Sequence, residues 1–300
     1  MIRGSYVLGK NRIDLSNLDN FKKLFKSTGI DHVYRASSEE TTFSLSLKAI
    51  NKIKKQINLS KIESIIFISQ SPTSTIPPTS SLVHKSLKLP LNCFTLDMIQ
   101  GCSAFPYAFF FANRYIKEKI FKNCLIISAE VYGKYIDAKN RSCHPIFSDA
   151  ASVIYIDNKS PIDILSEVYF ADGEGCDKLF LNNNKKLFMD GPAVFDFTSK
   201  IVPKAIKKLL NNAKISIDEI DSFYIHQASK IVIDNIQQKL NIPRKKIIKS
   251  AEKFGNTVSS TIPILISEML IKKKIKKKKL IMILGFGVGY SLSGGVFRFV

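Results

Sequence analysis

The sequence predicts an α/β protein, and three observations lead there. Short apolar runs at 64–68, 124–128 and 152–156 are bounded by turn residues and alternate with stretches of helical spacing. One such unit recurs: 59–68 reads LSKIESIIFI and 217–226 reads IDEIDSFYIH, a constant offset of 158 residues (217 − 59) with acid on acid and serine on serine. Polar residues stand where apolar runs end, namely Cys102, His226 and Asn256. In open α/β sheets that is where ligands gather. Strands alternating with helices build a sheet covered by helices.

In order along the chain, Phe43, Leu45, Leu47, Ile50, Ile53 and Ile57 fall largely at helical spacing and predict a helix over 41–57. A buried strand at 64–68 follows, then a Pro/Ser/Thr-rich loop over 72–81 and a helix near 81–87. A strand ending at 95–98 leads through the turn at Gly101 into a helix from Ser103, whose face Ala104, Phe105, Ala108, Phe109 and Ala112 is wholly apolar. Strands are expected at 124–128, 152–156 and 164–170. The second half predicts a helix over 195–210, a strand over 222–225, a glycine-containing turn over 253–260, a helix over 261–271 and a strand over 280–284. Carried forward, the offset of 158 sets Cys102 opposite Ser260, at the start of another apolar helix that contains Pro263. Two features in register argue for a duplicated core, with halves 1–160 and 161–300 meeting near 158–161 and no flexible linker between them.

At 300 residues the chain is ample for a substantial core, and 45% hydrophobic with 23% charged residues is the balance of a soluble globular protein. No run approaches the eighteen or so apolar residues of a membrane span, and the first five residues begin no signal peptide. Cys93, Cys102, Cys124, Cys143 and Cys176 are odd in number and lack CxxC spacing, which argues for reduced thiols in a cytoplasm and against a disulfide scaffold or metal site. The net charge of +20 has three candidate explanations: nucleic acid, an acidic carrier protein or phosphorylated cofactor, and a lysine-biased genome. The lysines cluster at 244–249 and 272–279, where a solvated surface is the plain reading and a docking surface for a polyanion the functional one. They are not interleaved with exposed aromatics and no nucleic-acid motif appears, so nucleic acid is not expected as a partner.

A thiol at 102 sits at the start of an apolar helix, where the dipole and unpaired amides favour the thiolate, so the position suits a nucleophile. It equally suits a small buried side chain. His226 ends one strand and Asn256 lies in a turn; alone, each has an ordinary structural reading. The segment GFGVGY at 285–290 is either a backbone that approaches a substrate closely or a plain glycine turn between the last two strands.

Taken in order, Cys102 in GCSAFPYA, His226 in YIHQAS, Asn256 in KFGNTVSSTIP and the GFGVGY tail resemble the thiolase superfamily. Within it they are similar to the β-ketoacyl-ACP synthases III. The resemblance spans nearly the whole chain, including the turn Thr28, Gly29, Ile30 and the segments 77–80, 137–141 and 147–151. It implies a thiolase-like fold of two duplicated α/β halves layered α-β-α-β-α. It implies an acyltransferase in which Cys102 takes an acyl group from a thioester, with backbone amides of Cys102, Val288 and Gly289 holding the oxyanion. His226 and Asn256 would then stabilise the enolate formed as malonyl-ACP loses carbon dioxide. No permanently bound cofactor and no metal are expected; acyl-CoA and acyl-ACP are substrates. A homodimer is implied, with the strand before Cys102 near the two-fold axis and a neighbouring loop completing the partner's tunnel.

The departures from the family bear on substrate. Its members often carry a tryptophan and an arginine before the TGI turn, gripping the adenine of coenzyme A; here there is no tryptophan, and KKLFKS at 22–27 precedes the turn. Ser229 and Ile231 stand where the family has asparagine and arginine, SDAA at 148–151 replaces GDGA, and Val288 interrupts the glycine tail. These changes point away from acetyl-CoA and toward a primer on an acyl carrier protein or an unusual CoA ester. Arg141 and Ser229 are the expected contacts for the donor's handle. Lys245, Lys246, Lys249, Lys272 and Lys273 are the expected docking residues for an acidic carrier protein. The alternative within the same fold is transfer of the acyl group from Cys102 to an oxygen or nitrogen acceptor.

Overall fold

The computed structural model describes residues 2–159, 162–275 and 278–300. The expected boundary near 158–161 falls partly on Ser160 and Pro161, and the lysine run includes Lys276 and Lys277; these four lie outside the described residues. The first half contains β1 (Ile2–Leu8), β2 (Asn11–Asp14), α1 (Phe21–Thr28), β3 (His32–Arg35), α2 (Thr42–Ile53), β4 (Ser64–Ile68), α3 (Thr79–Leu87), β5 (Phe94–Met98), α4 (Ala104–Lys117), β6 (Asn123–Glu130) and β7 (Ala150–Asp157). The second contains β8 (Ile162–Ala171), β9 (Leu179–Leu181), β10 (Leu187–Met189), α5 (Gly191–Ala213), β11 (Ser222–Ile225), α6 (Lys230–Lys239), α7 (Ala251–Phe254), α8 (Thr261–Ile271), β12 (Leu280–Gly287) and β13 (Ser291–Phe299).

The main sheet of the first half has the order β1-β7-β6-β4-β5, with β4 parallel to β5 and β6, and β7 antiparallel to β6 and β1. That of the second runs β8-β13-β12-β11, with β11 parallel to β12 and β13 antiparallel to β12 and β8. The two patterns superimpose strand for strand. The fifth strand has its counterpart in a single parallel bridge between Phe223 and Ile247.

Alternation along the strands sorts the core into layers. Ile66 and Ile68 of β4, with Ile281 and Ile283 of β12, face inward onto α4 and α8, which are sandwiched between the sheets. Ile65 and Phe67 face outward onto Leu45, Ala49, Ile50 and Ile53 of α2. Met282 and Leu284 face outward onto Val202, Ile206 and Leu209 of α5 and Ile233 and Ile236 of α6. The result is the layered α-β-α-β-α arrangement that the sequence predicts. The central helices can lie between sheets because they are apolar on nearly every side: Phe105, Phe109, Phe110, Ile262 and Leu265 are almost wholly buried.

The duplication register shifts by one residue. The 3-10 turns Gly101–Ser103 and Val258–Ser260 each lead directly into a central helix, and each opens on a left-handed residue, Gly101 at φ 55° and Val258 at φ 54°. Pro106 and Pro263 then occupy the same place in the first helical turn, where the missing N–H costs nothing. The offset is therefore 157 here, and Cys102 stands opposite Ser259, not the expected Ser260.

Phe109 packs against the rings of Phe105, Phe110 and Phe297 in the middle layer. Phe109→Ala is expected to lower the unfolding free energy by about 3–5 kcal/mol in a denaturant titration. A loss under about 1 kcal/mol would show that the central layer does not carry the fold.

Candidate active site

The C-terminal ends of β5, β11 and β12 deliver Cys102, His226 and the Gly287 turn to one place, and α7 delivers Asn256. Cys102, His226 and Asn256 are 5%, 2% and 4% exposed, and all three line a cavity of about 440 Å³. Ser27, Thr28, Phe147, Ser229 and Phe286 share its walls, with Leu179 and Met189 of the β9–β10 hairpin and Phe195 of α5.

Each side chain is held by identifiable contacts. The Cys102 turn is tied to β13: Ser103 Oγ lies 2.7 Å from Ser291 Oγ, and Ser293 Oγ donates to Ser103 O at 2.5 Å. His226 N–H donates to Leu284 O at 2.9 Å, and the imidazole meets the Phe286 ring edge-on at 5.3 Å. The buried Nδ1 has no protein partner among the described residues. Asn256 bridges to Phe147 and accepts the Val258 N–H on Oδ1 at 2.9 Å, while its Nδ2 makes only a long 3.5 Å contact with Ala228 O. The oxygen of the carboxamide is thus committed, while its N–H side is only weakly bonded.

The glycine tail divides between the two expected readings. Gly285 and Gly287 belong to β12, paired with Ser293 and Ser291. A methyl group at Gly287 would lie 2.8 Å from Cys102 Cβ, and one at Gly285 would lie 2.5 Å from Cys102 O. These glycines are needed because β12 passes directly against the thiol's own turn. Val288 packs beside Cys102, and Gly289 follows at φ 124°.

The electrostatics correct the expectation of a ready thiolate. Burial pushes the Cys102 thiol well up, and the nearby Glu130 carboxylate adds to this, so the resting group is the thiol. Desolvation outweighs the helix terminus because the thiol is only 5% exposed and packed among apolar side chains. Burial lowers the imidazolium of His226 from 6.5 to about 3, so the ring is neutral at pH 7. Glu130 is itself pushed up by burial, to about 7, against the pull of its donors.

Arg141 does not line the main cavity. It lines an outer one of about 650 Å³ with Lys23, Lys139 and His144, and Ser27 borders both. Ser229 lies in the main cavity wall at the start of α6. Lys249 is close to the mouth, paired with Asp234 at 3.1 Å in a crevice shared with Thr28 and Ser229. Lys245 and Lys246 precede the Phe223–Ile247 bridge at the opposite end of β11 from His226, and Lys246 Nζ donates to Asp218 O. Lys272 and Lys273 follow the far end of α8, roughly 16 Å of helix from the site, and Lys272 pairs with Glu268 at 2.6 Å. Of the five lysines, Lys249 thus lies nearest the mouth, and Lys272 and Lys273 lie at the far end of α8 because that helix points its N-terminus at the site.

Sequence reasoning missed several supports. Arg35, buried, donates to His144 O at 3.0 Å and to Phe147 O, fixing the loop between the two cavities. Asp149 accepts the N–H groups of Ala36 and Gly133, each at 2.8 Å. Glu130 was legible only as a lone carboxylate ending an apolar strand. No group of His, Cys, Asp and Glu that could hold a metal gathers among the described residues, all five cysteines are free, and no described helix is long and apolar enough to cross a membrane.

Residues 96–173 match the family profile of 3-oxoacyl-[acyl-carrier-protein] synthase III, and residues 210–299 match the profile of its C-terminal region. The chain is 30% identical over 295 residues to the beta-ketoacyl-[acyl-carrier-protein] synthase III of Streptococcus pyogenes serotype M4, covering 92% of this chain and 90% of that one. It belongs to the 3-oxoacyl-[acyl-carrier-protein] synthase III family. Among solved family structures, the Aquifex aeolicus synthase III superimposes with a TM-score of 0.91 at 28% identity, over 99% of this chain and 98% of that one. The Burkholderia xenovorans 3-oxoacyl-(acyl-carrier protein) synthase gives 0.91 at 25% identity, over 100% and 94%. The family's fold is thus the fold found here.

Two expectations follow from the geometry. Gly287→Ala should leave the protein folded but displace Cys102, lowering its alkylation rate by iodoacetamide at least tenfold; an unchanged rate would mean that β12 does not pack on the thiol. The His226 C2 proton should keep one chemical shift from pH 5 to 8, because the ring is already neutral, whereas a midpoint near 6.5 would contradict its burial. The unfolded chain binds that proton more tightly, so His226 withdraws stability as pH falls from 6.5 toward about 3.

Proposed function

We propose that the protein is a 3-oxoacyl-ACP synthase III that acylates Cys102 and then performs a decarboxylative Claisen condensation with malonyl-ACP. The observation that carries this reading is the convergence of Cys102, His226 and Asn256, from both halves of the duplication, on one buried apolar cavity. In this reading 1–160 supplies the nucleophile, and 161–300 supplies the two hydrogen-bond donors.

In the first half-reaction Cys102 Sγ attacks the thioester carbonyl. The S–C bond to the enzyme forms, the bond to the donor's sulfur breaks, and the thiol proton leaves with the departing thiol, passed through the neutral His226 imidazole. Amides of Cys102, Val288 and Gly289 carry the oxyanion charge in between. In the second, malonyl-ACP loses carbon dioxide, and the electron pair of the broken C–C bond becomes an enolate. Neutral imidazole and carboxamide both donate to its oxygen. The enolate carbon attacks the acyl-cysteine, the S–C bond to Cys102 breaks, and the released thiolate takes a proton from solvent. Asn256, which lines the same cavity as the thiol and whose Nδ2 makes only a long 3.5 Å contact with Ala228 O, favours condensation over transfer to an oxygen or nitrogen acceptor.

The outer cavity, with Lys23, Lys139 and Arg141, suits the phosphate-bearing handle of the donor. Ile231, half exposed at the mouth, together with Lys249, suits a carrier protein's apolar and acidic contacts better than a nucleotide's. The edge strand β5 and the residues flanking it leave Leu91, Phe94 and Ile99 exposed, an apolar edge consistent with a homodimer closed across β5.

Intact-mass measurement after exposure to acyl-CoA and, separately, to acyl-carrier protein tests the reading. An adduct is expected that is absent in Cys102→Ala, forms faster from the carrier protein, and is cleared by malonyl-carrier protein with release of carbon dioxide. Asn256→Ala should acylate normally and release carbon dioxide about a hundredfold more slowly. No adduct from any donor would sink the reading.

A further inference from the structure

β6 is apolar for most of its length, with Cys124, Leu125, Ile126 and Ile127 fully buried, yet it ends on a fully buried carboxylate, Glu130. No salt bridge reaches Glu130 among the described residues, and it does not line the cavity. Oε2 accepts from Ser71 Oγ at 2.7 Å, Gln70 N–H at 3.1 Å and Ser69 Oγ at 3.4 Å. Oε1 accepts from Ser259 Oγ at 2.8 Å and from the same Gln70 N–H at 3.2 Å. A buried carboxylate costs a great deal unless it is fully bonded, so one placed here has a task that an apolar residue could not perform.

The partners lie on both sides of the duplication. Ser69, Gln70 and Ser71 follow β4 in the first half, whereas Ser259 is the counterpart of Cys102 in the second. Gln70 lies over Gly101, where a methyl group would come within 2.2 Å of its Oε1, and it accepts the Tyr132 hydroxyl at 2.5 Å. Ser259 follows Val258, a β-branched residue held at φ 54°, a conformation that persists only where its surroundings over-determine it. The Val258 N–H in turn holds Asn256 Oδ1. A continuous path therefore runs from Glu130 through Ser259 and the Val258 turn to the carboxamide of Asn256.

We propose that Glu130 is a positioning residue for the condensation step: by holding Ser259 it maintains the strained Val258 turn, and so aims the Asn256 donor at the malonyl oxygen. The proposal rests on the function given above. Acylation of Cys102 does not use Asn256, so the two half-reactions respond differently when the path is cut. Glutamine at 130 keeps the shape but puts an amide N–H in place of one accepting oxygen; with the remaining oxygen on the Gln70 N–H, the Ser259 hydroxyl loses the acceptor that holds it.

The test compares wild type, Ser259→Ala, Glu130→Gln and the double variant, each checked for folding by circular dichroism. Acylation is followed by intact mass, and carbon dioxide release from malonyl-carrier protein is followed on pre-acylated protein. Acylation is expected to stay within threefold of wild type in Ser259→Ala and not to slow in Glu130→Gln, where the charge that raises the Cys102 thiol is gone. The condensation kcat is expected to fall at least tenfold in both, with KM for the malonyl thioester little changed. The double variant is expected to be no slower than Glu130→Gln, since both cut one path. Equal slowing of both half-reactions, no slowing in Ser259→Ala, or additive losses would each overturn the role of Glu130. A wild type that takes no acyl group would instead overturn the functional reading beneath it.

Discussion

Two helices that can face water almost nowhere, α4 and α8, impose the constraint on which the rest depends. Each must be covered on both sides, and the solution is one sheet above and one below. Pairing them also brings their first turns together at the end where the parallel strands finish. The nucleophile, its counterpart Ser259, the Gly287 crossing and Asn256 are all consequences of that juxtaposition. Function and core packing here are one arrangement.

The ionisable side chains that line the cavity at Cys102 and His226 rest neutral. Burial holds the Cys102 thiol protonated and His226 uncharged, and the same burial makes every donor count for more when charge develops on a substrate. Glu130, held by several donors, stands behind the site rather than in it, and in its charged form it opposes thiolate formation at Cys102. A thiol that rests protonated is the less reactive form toward oxidants and electrophiles.

Much of this was legible in the residues. Alternation and helical spacing place most of the core elements because burial of alternate faces is a local property of the pattern. The helix over 261–271 and the strand over 64–68 have the bounds the pattern suggests. Other features depended on distance. The offset of 158 holds for β4 and β11, but the central helices are in register at 157, as the prolines at 106 and 263 fix it. The position of the lysines at 272 and 273 relative to the site depends on the direction of α8; its N-terminus faces the site, so they sit at the helix's other end.

By itself the sequence determined the α/β class, the duplication, the family and the three polar side chains at strand and helix ends, because each is written in local periodicity or in a motif. The tertiary structure alone decided that the thiol rests protonated, that Gly285 and Gly287 serve the approach of β12 to Cys102, and that Glu130 joins the two halves. The physical reason is that desolvation, close packing and hydrogen bonds between residues more than a hundred positions apart are properties of assembled layers, and no single segment carries them.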